Sequence, residues 1–67
     1  MDIKKQREQL RISQSYLART SGVSRFKICL HELGDRLLTA QEETLVQAAI
    51  RREAAGLKEK IALLTEA

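Results

Sequence analysis

Histidine and cysteine, two residues common in catalytic and metal sites, are scarce in this 67-residue chain, which has one of each, His31 and Cys29. Neither stands in a spacing typical of zinc ligands. We interpret Cys29 as a small apolar residue and His31 as a partly buried, hydrogen-bonded histidine. A chain this short can hardly enclose a substrate cavity. The sequence therefore predicts no enzymatic activity, no cofactor and no metal site.

Basic side chains are instead concentrated in the first half of the chain. Residues 1–36 carry eight basic and four acidic residues, a net charge of +4. Residues 37–67 carry four basic and five acidic residues, a net charge of −1. This asymmetry favours a polyanionic partner for the first half and a different role for the second. Charge alone is equally compatible with an ordinary solvated surface.

The composition predicts an all-α protein, because helix-forming residues dominate and there is no proline. Alternating β-branched residues typical of strands are absent. We expect one small bundle of four to five helices with a long C-terminal helix. No apolar run approaches the ~20 residues of a membrane span, and no signal peptide pattern opens the chain. The expected location is the cytoplasm, with no membrane partner.

Capping signals place the first two helices. Apolar periodicity predicts a helix over residues 3–10. Ser13 can cap a second helix, and Gly22, which readily adopts the left-handed conformation, can end it. Between the second helix and the one that follows, the connection is predicted to be only about three residues long.

Similar signals place the next two helices. Ser24 can cap a third helix that ends before Gly34, and its hydroxyl lies beside free N–H groups, where phosphate binds readily. Thr39 and Glu42 form the pattern of a capping box, which predicts a fourth helix reaching Leu64 and weakly interrupted at residue 56. We divide the chain into a domain at 1–50 and a helical extension at 51–67.

The second and third helices have the properties of a closely packed pair. Ala18 is small where the two helices cross, and Gly22 provides the bend. Leu17, Val23 and Ile28 are predicted to be buried between them.

The segment from Ser13 to Gly34 resembles the helix-turn-helix family of phage repressors and Cro proteins. The resemblance covers roughly residues 3–50 and implies a sequence-specific DNA-binding transcription regulator, acting as a repressor on an inverted-repeat operator. It also implies that Arg7 pairs with Glu32. The matching residues are Ser13, Gln14, Leu17, Ala18, Gly22, Val23, Ser24, Ile28, Glu32 and Gly34.

The same resemblance implies a set of DNA-binding residues. Gln14 would contact a phosphate and support the start of the third helix, while Lys27 and Arg36 would reach the DNA backbone. Arg25 has the chemistry for bidentate donation to guanine O6 and N7, and Phe26 could contact a thymine methyl. The residues expected to face the major groove are Ser24, Arg25, Phe26, Cys29 and Leu30.

One face of the third helix is more apolar than is usual for a helix that reads bases in the major groove. Phe26, Leu30 and Leu33 share one helix face that is expected to be exposed. This face either reads thymine methyls or binds a protein, so the alternative functions are an antitoxin that binds a toxin and a helical adaptor. Arg11 also stands where the family usually has a turn residue such as glycine.

Apolar residues recur at the spacing of a coiled-coil seam in the fourth helix. This stripe either forms a homodimer or folds back on its own domain, and the sequence favours neither. Small helix-turn-helix domains bind half-sites as dimers, which supports the first. The expected partners are therefore double-stranded DNA, a second copy and another protein such as a toxin. The candidate dimerisation residues are Ile50, Ala54, Leu57, Ile61 and Leu64.

Overall fold

The computed structural model describes residues 2–66 and shows no strand among them. It confirms the all-α class and the long C-terminal helix. No helix in this part of the chain is both long enough and apolar enough to cross a membrane. The four helices are α1 (Ile3–Gln9), α2 (Gln14–Ser21), α3 (Arg25–Glu32) and α4 (Ala40–Glu66).

Each helix begins where a side chain satisfies an N–H group that the first turn leaves unpaired. Ser13 accepts a hydrogen bond from the backbone N–H of Tyr16, and Ser24 accepts one from Phe26. Thr39 and Glu42 form the predicted reciprocal capping box, with distances of 2.9 and 3.1 Å. These three predicted starts are confirmed.

The helix ends depend on residues with positive φ angles. Gly22 ends α2 with a φ of 78°, and Gly34 follows α3 with a φ of 82°. Arg11 follows α1 with a φ of 57°, in the same left-handed region. An L-residue in this conformation is less stable than glycine by roughly 1 kcal/mol. This is consistent with the turn residue, such as glycine, that the family usually has at this position.

Apolar side chains from all four helices and their connections meet in one core. α2 lies at its centre and packs against both α3 and α4. The predicted burial of Leu17, Val23 and Ile28 between α2 and α3 is confirmed. The complete core consists of Ile3, Leu17, Val23, Ile28, Leu38, Val46, Ala49 and Ile50.

Polar contacts also join α2 to α4. The Tyr16 hydroxyl donates to the carboxylate of Glu53. Arg52 Nη2 donates to the carbonyl oxygen of Thr20 at 2.8 Å, at the end of α2. α4 is therefore fixed to the remainder of the protein as far as residue 53, and we call residues 2–53 the body.

Beyond the body, α4 continues into solvent as a distal segment, residues 57–66. The helix of 27 residues is about 40 Å long at 1.5 Å per residue, which explains the 45 × 19 × 18 Å dimensions of the protein. It passes Gly56 without a break, so the predicted weak interruption is wrong. Of the predicted seam, Ile50 packs on its own domain, whereas Leu57, Ile61 and Leu64 do not.

Replacing Gly56 tests whether α4 is a continuous helix. The position is helical and exposed, and apart from its chain neighbours and the adjacent helix backbone no heavy atom lies within 4 Å of the point that an added Cβ would occupy. Gly56→Ala should therefore raise the free energy of unfolding by about 0.5–1 kcal/mol, because alanine favours helices. Urea unfolding at micromolar protein concentration measures this.

The matched control is Gly34→Ala, which also meets open space but has a φ of 82°. It should lower the free energy of unfolding by roughly 1 kcal/mol, because L-residues disfavour this conformation. Equal effects from the two alanines would contradict the helical continuity of α4.

Candidate nucleic-acid interface

A cluster of Arg7, Glu32 and Gln14 fixes the end of α3 to α1 and α2. Arg7 donates from Nε and Nη2 to the two carboxylate oxygens of Glu32, both at 3.0 Å. Gln14 Nε2 donates to Glu32 Oε1 at 3.1 Å. Arg7 also donates to the carbonyl oxygen of Ile12 at 3.0 Å, which ties down the connection between α1 and α2. The pairing of Arg7 with Glu32 implied by the resemblance is therefore present.

The carboxylate of Glu32 is almost completely buried, with 4% of its side chain exposed. Burial alone would raise its pKa, but the hydrogen bonds from Arg7 and Gln14 outweigh burial and the pKa is lowered. The hydrogen bonds that Arg7 donates to Glu32 raise the pKa of Arg7 in turn. Both groups therefore stay ionised, and the three donors compensate the burial of the charge.

Gln14 occupies a different position from the one that was expected. Its amide is half-buried and bonded to Glu32, in the last turn of α3. The expectation that it supports the start of α3 is wrong, because the hydrogen-bonded carboxylate lies at the opposite end of that helix.

Lys27 also has a partner inside the protein. Its Nζ lies 2.7 Å from Glu42 Oε2, which links α3 to the first turn of α4. The resemblance implied that Lys27 reaches the DNA backbone. The structure gives Lys27 an internal partner, the capping glutamate of α4, while 38% of its side chain remains exposed, so the contact with DNA stays a prediction.

The beginning of α3 is exposed in contrast to its end. Ser24 and Arg25 are both exposed, and Arg25 forms no ion pair or side-chain hydrogen bond with the residues that the structure describes. Phe26 is 67% exposed, whereas Cys29 and Leu30 are half-buried. Ser24, Arg25 and Phe26 are therefore all accessible at this end of the helix.

The connection after α3 carries the remaining predicted contact. Arg36 is exposed, and its carbonyl oxygen lies 3.1 Å from Nδ1 of His31, which is half-buried. The interpretation of His31 as a partly buried, hydrogen-bonded residue is confirmed. No cluster of metal-ligating side chains occurs within the described range.

Large apolar side chains are exposed along α3 and the connection that follows it. Leu33 is 69% exposed and Leu37 is 85% exposed, in addition to Phe26. Leu37 was missed by the sequence analysis. The available signal was the pair of adjacent leucines in this short connection, of which Leu38 is buried.

The two ion pairs leave a subset of the basic residues accessible. Arg7 and Lys27 are paired with carboxylates, so their charges are compensated internally. The other basic residues of the first half are all exposed, and they outnumber the three acidic residues in that half that are exposed. The accessible basic residues are Lys4, Lys5, Arg11, Arg19, Arg25 and Arg36.

Comparisons of this chain with protein-family models, with curated proteins and with solved structures find no match.

Substituting Glu32 tests the cluster that fixes α3. Glu32→Gln removes a charge that accepts three hydrogen bonds, and each bond to a charged group is worth roughly 1.5–3 kcal/mol. We expect the free energy of unfolding to fall by about 2–3 kcal/mol, most of what a core of this size supplies. Chemical denaturation followed by circular dichroism measures this loss.

Glu59→Gln is the control for Glu32→Gln, because Glu59 is exposed on α4. It should change the unfolding free energy by no more than about 0.5 kcal/mol. A similarly small effect of Glu32→Gln would show that the cluster does not stabilise the fold.

Acid titration tests the ion pair between Lys27 and Glu42. The hydrogen bond from Lys27, followed by that from the Thr39 N–H, lowers the pKa of Glu42 from 4.5 to about 2. Because folding lowers the pKa of Glu42, its ionised carboxylate stabilises the folded state fully above pH 4.5. This stabilisation is lost as the pH falls through about 2 and the carboxylate becomes protonated. The stability difference between wild type and Glu42→Gln should therefore shrink across this range. Urea unfolding at several pH values measures it, and a constant difference would contradict the ion pair.

Proposed function

We propose that this protein is a sequence-specific DNA-binding transcription regulator of the helix-turn-helix type. It acts as a repressor and binds an inverted-repeat operator as a homodimer, with α3 as the helix that enters the major groove. The observation that carries the proposal is the contrast within α3, whose end is fixed by the Arg7–Glu32–Gln14 cluster while its beginning is exposed.

The arrangement of α2 and α3 supports this proposal. Two helices of eight residues each are joined by a three-residue connection. Gly22 supplies the positive φ angle of that connection, and Val23 is buried within it. Helix-turn-helix proteins use such a pair to place the second helix in the major groove while the first crosses the DNA backbone.

The residues at the start of α3 have suitable chemistry for DNA. The N–H groups of a first helical turn and a serine hydroxyl can bind a phosphate. The guanidinium of Arg25 is exposed and can donate two hydrogen bonds to guanine. The benzyl group of Phe26 can contact the methyl group of a thymine. Together these groups provide one backbone contact and two base contacts.

Two polar residues have smaller roles in this proposal than the sequence suggested. Lys27 is engaged by Glu42 and Gln14 by Glu32, so each would have to give up an internal bond to reach a phosphate. Arg36 is exposed and retains its proposed contact with the DNA backbone. The exposed basic residues of the first half supply the remaining attraction.

The exposed apolar side chains support a second candidate function, binding of a protein as an antitoxin or an adaptor. Phe26, Leu33 and Leu37 are each at least two-thirds exposed. Apolar side chains gain little from contact with phosphates, whereas they bury favourably against another protein. This candidate uses the same helix, so the two functions compete for one surface.

Selection of bound sequences from random duplex DNA tests the first proposal. The wild type should enrich a palindromic site. Arg25→Ala should weaken binding to that site by about 5- to 150-fold and relax the preference at one base position in each half-site. The matched control is Arg51→Ala, which removes an exposed arginine from α4 and should leave base preference unchanged.

Salt dependence distinguishes the two candidate functions. Affinity for the selected DNA should fall with a slope of about −0.9 per phosphate contacted in a plot of log K against log salt concentration. Binding of a protein through apolar side chains should depend only weakly on salt. Absence of any enriched DNA sequence would contradict the proposed function and favour the protein-binding candidate.

A further inference from the structure

The first turn of α3 presents a charged and an apolar side chain next to each other. Arg25 is exposed and has no ion pair or side-chain hydrogen bond within residues 2–66. Phe26 follows it directly in the chain and is 67% exposed. The backbone N–H of Phe26 donates to the Ser24 hydroxyl at 3.2 Å, which holds the backbone of this turn in place. Both side chains therefore extend into solvent from an ordered turn.

The other neighbours of Phe26 on α3 offer no free polar group. Cys29 and Leu30 lie one turn further along the same side of the helix, and both are half-buried. Neither has a strong hydrogen-bonding group. Lys27 is bonded to Glu42 on α4. A base that meets Phe26 is therefore recognised at that point only through its own apolar groups.

We propose that Phe26 recognises the methyl group at C5 of a pyrimidine, so that 5-methylcytosine binds as thymine does and methylation of a cytosine strengthens binding to DNA. This inference rests on the proposed function, in which α3 enters the major groove. It goes beyond that function because it makes covalent modification of the operator a means of regulating this protein.

Thymine and 5-methylcytosine place the same group at the same point of the major groove. Thymine always carries a methyl group on C5, and cytosine carries one only after methylation. The two bases differ at C4, where thymine has an oxygen that accepts a hydrogen bond and cytosine has an amino group that donates one. The benzyl group of Phe26 forms no conventional hydrogen bond with either. The methyl group is then the only feature that this side chain distinguishes.

Arg25 determines which pyrimidine Phe26 meets. A guanidinium that donates to O6 and N7 of a guanine fixes the start of α3 at that base pair. Consecutive helical residues rise by about 1.5 Å, and consecutive bases of one strand by about 3.4 Å, so Phe26 lies at a base pair adjacent to the guanine. The expected site therefore has a thymine next to the guanine, and a methylated cytosine can replace it.

The charge of Arg25 favours DNA over an apolar protein surface as the group that covers Phe26. A protein surface that buried Phe26 in apolar contacts would also remove water from the neighbouring guanidinium, which has no internal partner among the described residues. Burial of an unpaired charge is costly. In the major groove the guanidinium gains two acceptors on guanine while the phenyl ring gains a methyl group. The two side chains are therefore satisfied together in DNA.

Four versions of the selected DNA site test the proposal. Next to the guanine whose preference Arg25→Ala relaxes, they carry thymine or uracil paired with adenine, and 5-methylcytosine or cytosine paired with guanine. Within each of these two pairs of duplexes, only one methyl group changes. Fluorescence anisotropy of labelled duplexes at constant salt measures the affinity. The methyl group should strengthen binding about fourfold per half-site in both pairs, as expected for burial of one such group.

Substitution of Phe26 connects the methyl effect to this side chain. Phe26→Ser should abolish the preference for the methylated base in both pairs of duplexes, while Arg25 still selects its guanine. Because Phe26 is exposed, the variant should fold as the wild type does. Leu63→Ser is the matched control, since it removes an apolar side chain of similar exposure, 66%, from α4. It should retain the full methyl effect.

The outcomes separate failure of this inference from failure of the proposed function. A selected site without a thymine beside the guanine, or a methyl effect below about twofold in either pair, would overturn the inference and leave the proposed function standing. A methyl effect that persists in Phe26→Ser would also overturn it, because another residue would then recognise the methyl group. Absence of any selected site would remove both and favour the protein-binding candidate.

Discussion

The structure depends on the compensation of one buried carboxylate, that of Glu32. Only 4% of this side chain is exposed, and an unpaired carboxylate in such a place would be too costly for a domain of this size. Arg7 and Gln14 provide three hydrogen bonds to it, and they come from α1 and α2. Because these bonds are directional, they specify how α3 lies on the two preceding helices more narrowly than apolar contacts do. The small apolar core stabilises the fold by burial, and the cluster determines how α3 is oriented on α1 and α2.

This constraint divides the molecule into regions with different tasks. The end of α3 is fixed through the buried carboxylate of Glu32, whereas Ser24 and Arg25 at its beginning are accessible to solvent. α4 first completes the core and then leaves it, carrying its apolar face beyond the body. The proposed DNA surface and the exposed part of the predicted dimerisation seam therefore lie on separate parts of the chain. Because the two surfaces lie apart, a substitution in one need not affect the other. The exposed side chains of Leu33 and Leu37 near α3 are also available to a protein partner.

Sequence reasoning identified the accessible start of α3 but did not predict the internal partners of two other members of the candidate interface. Gln14 and Lys27 have the residue types that contact phosphates, and nothing in their immediate neighbourhood distinguishes that role from an internal one. Their partners, Glu32 and Glu42, lie 18 and 15 residues away in the chain. Which carboxylate comes within about 3 Å of a polar side chain depends on how the helices pack. Pairing across the fold is therefore the property that the sequence left open, except for Arg7, where a family resemblance supplied it.

The sequence alone determined the helices, because the signals that start and stop them act within about four residues. The serine caps, the capping box and the glycines with positive φ angles all operate at this range. Only the tertiary structure decided how far along α4 the core extends. The seam from Ile50 to Leu64 is continuous in the sequence, yet its first residue is buried and its last is in solvent. The physical reason is that the other three helices are short and cover only the first half of a helix about 40 Å long.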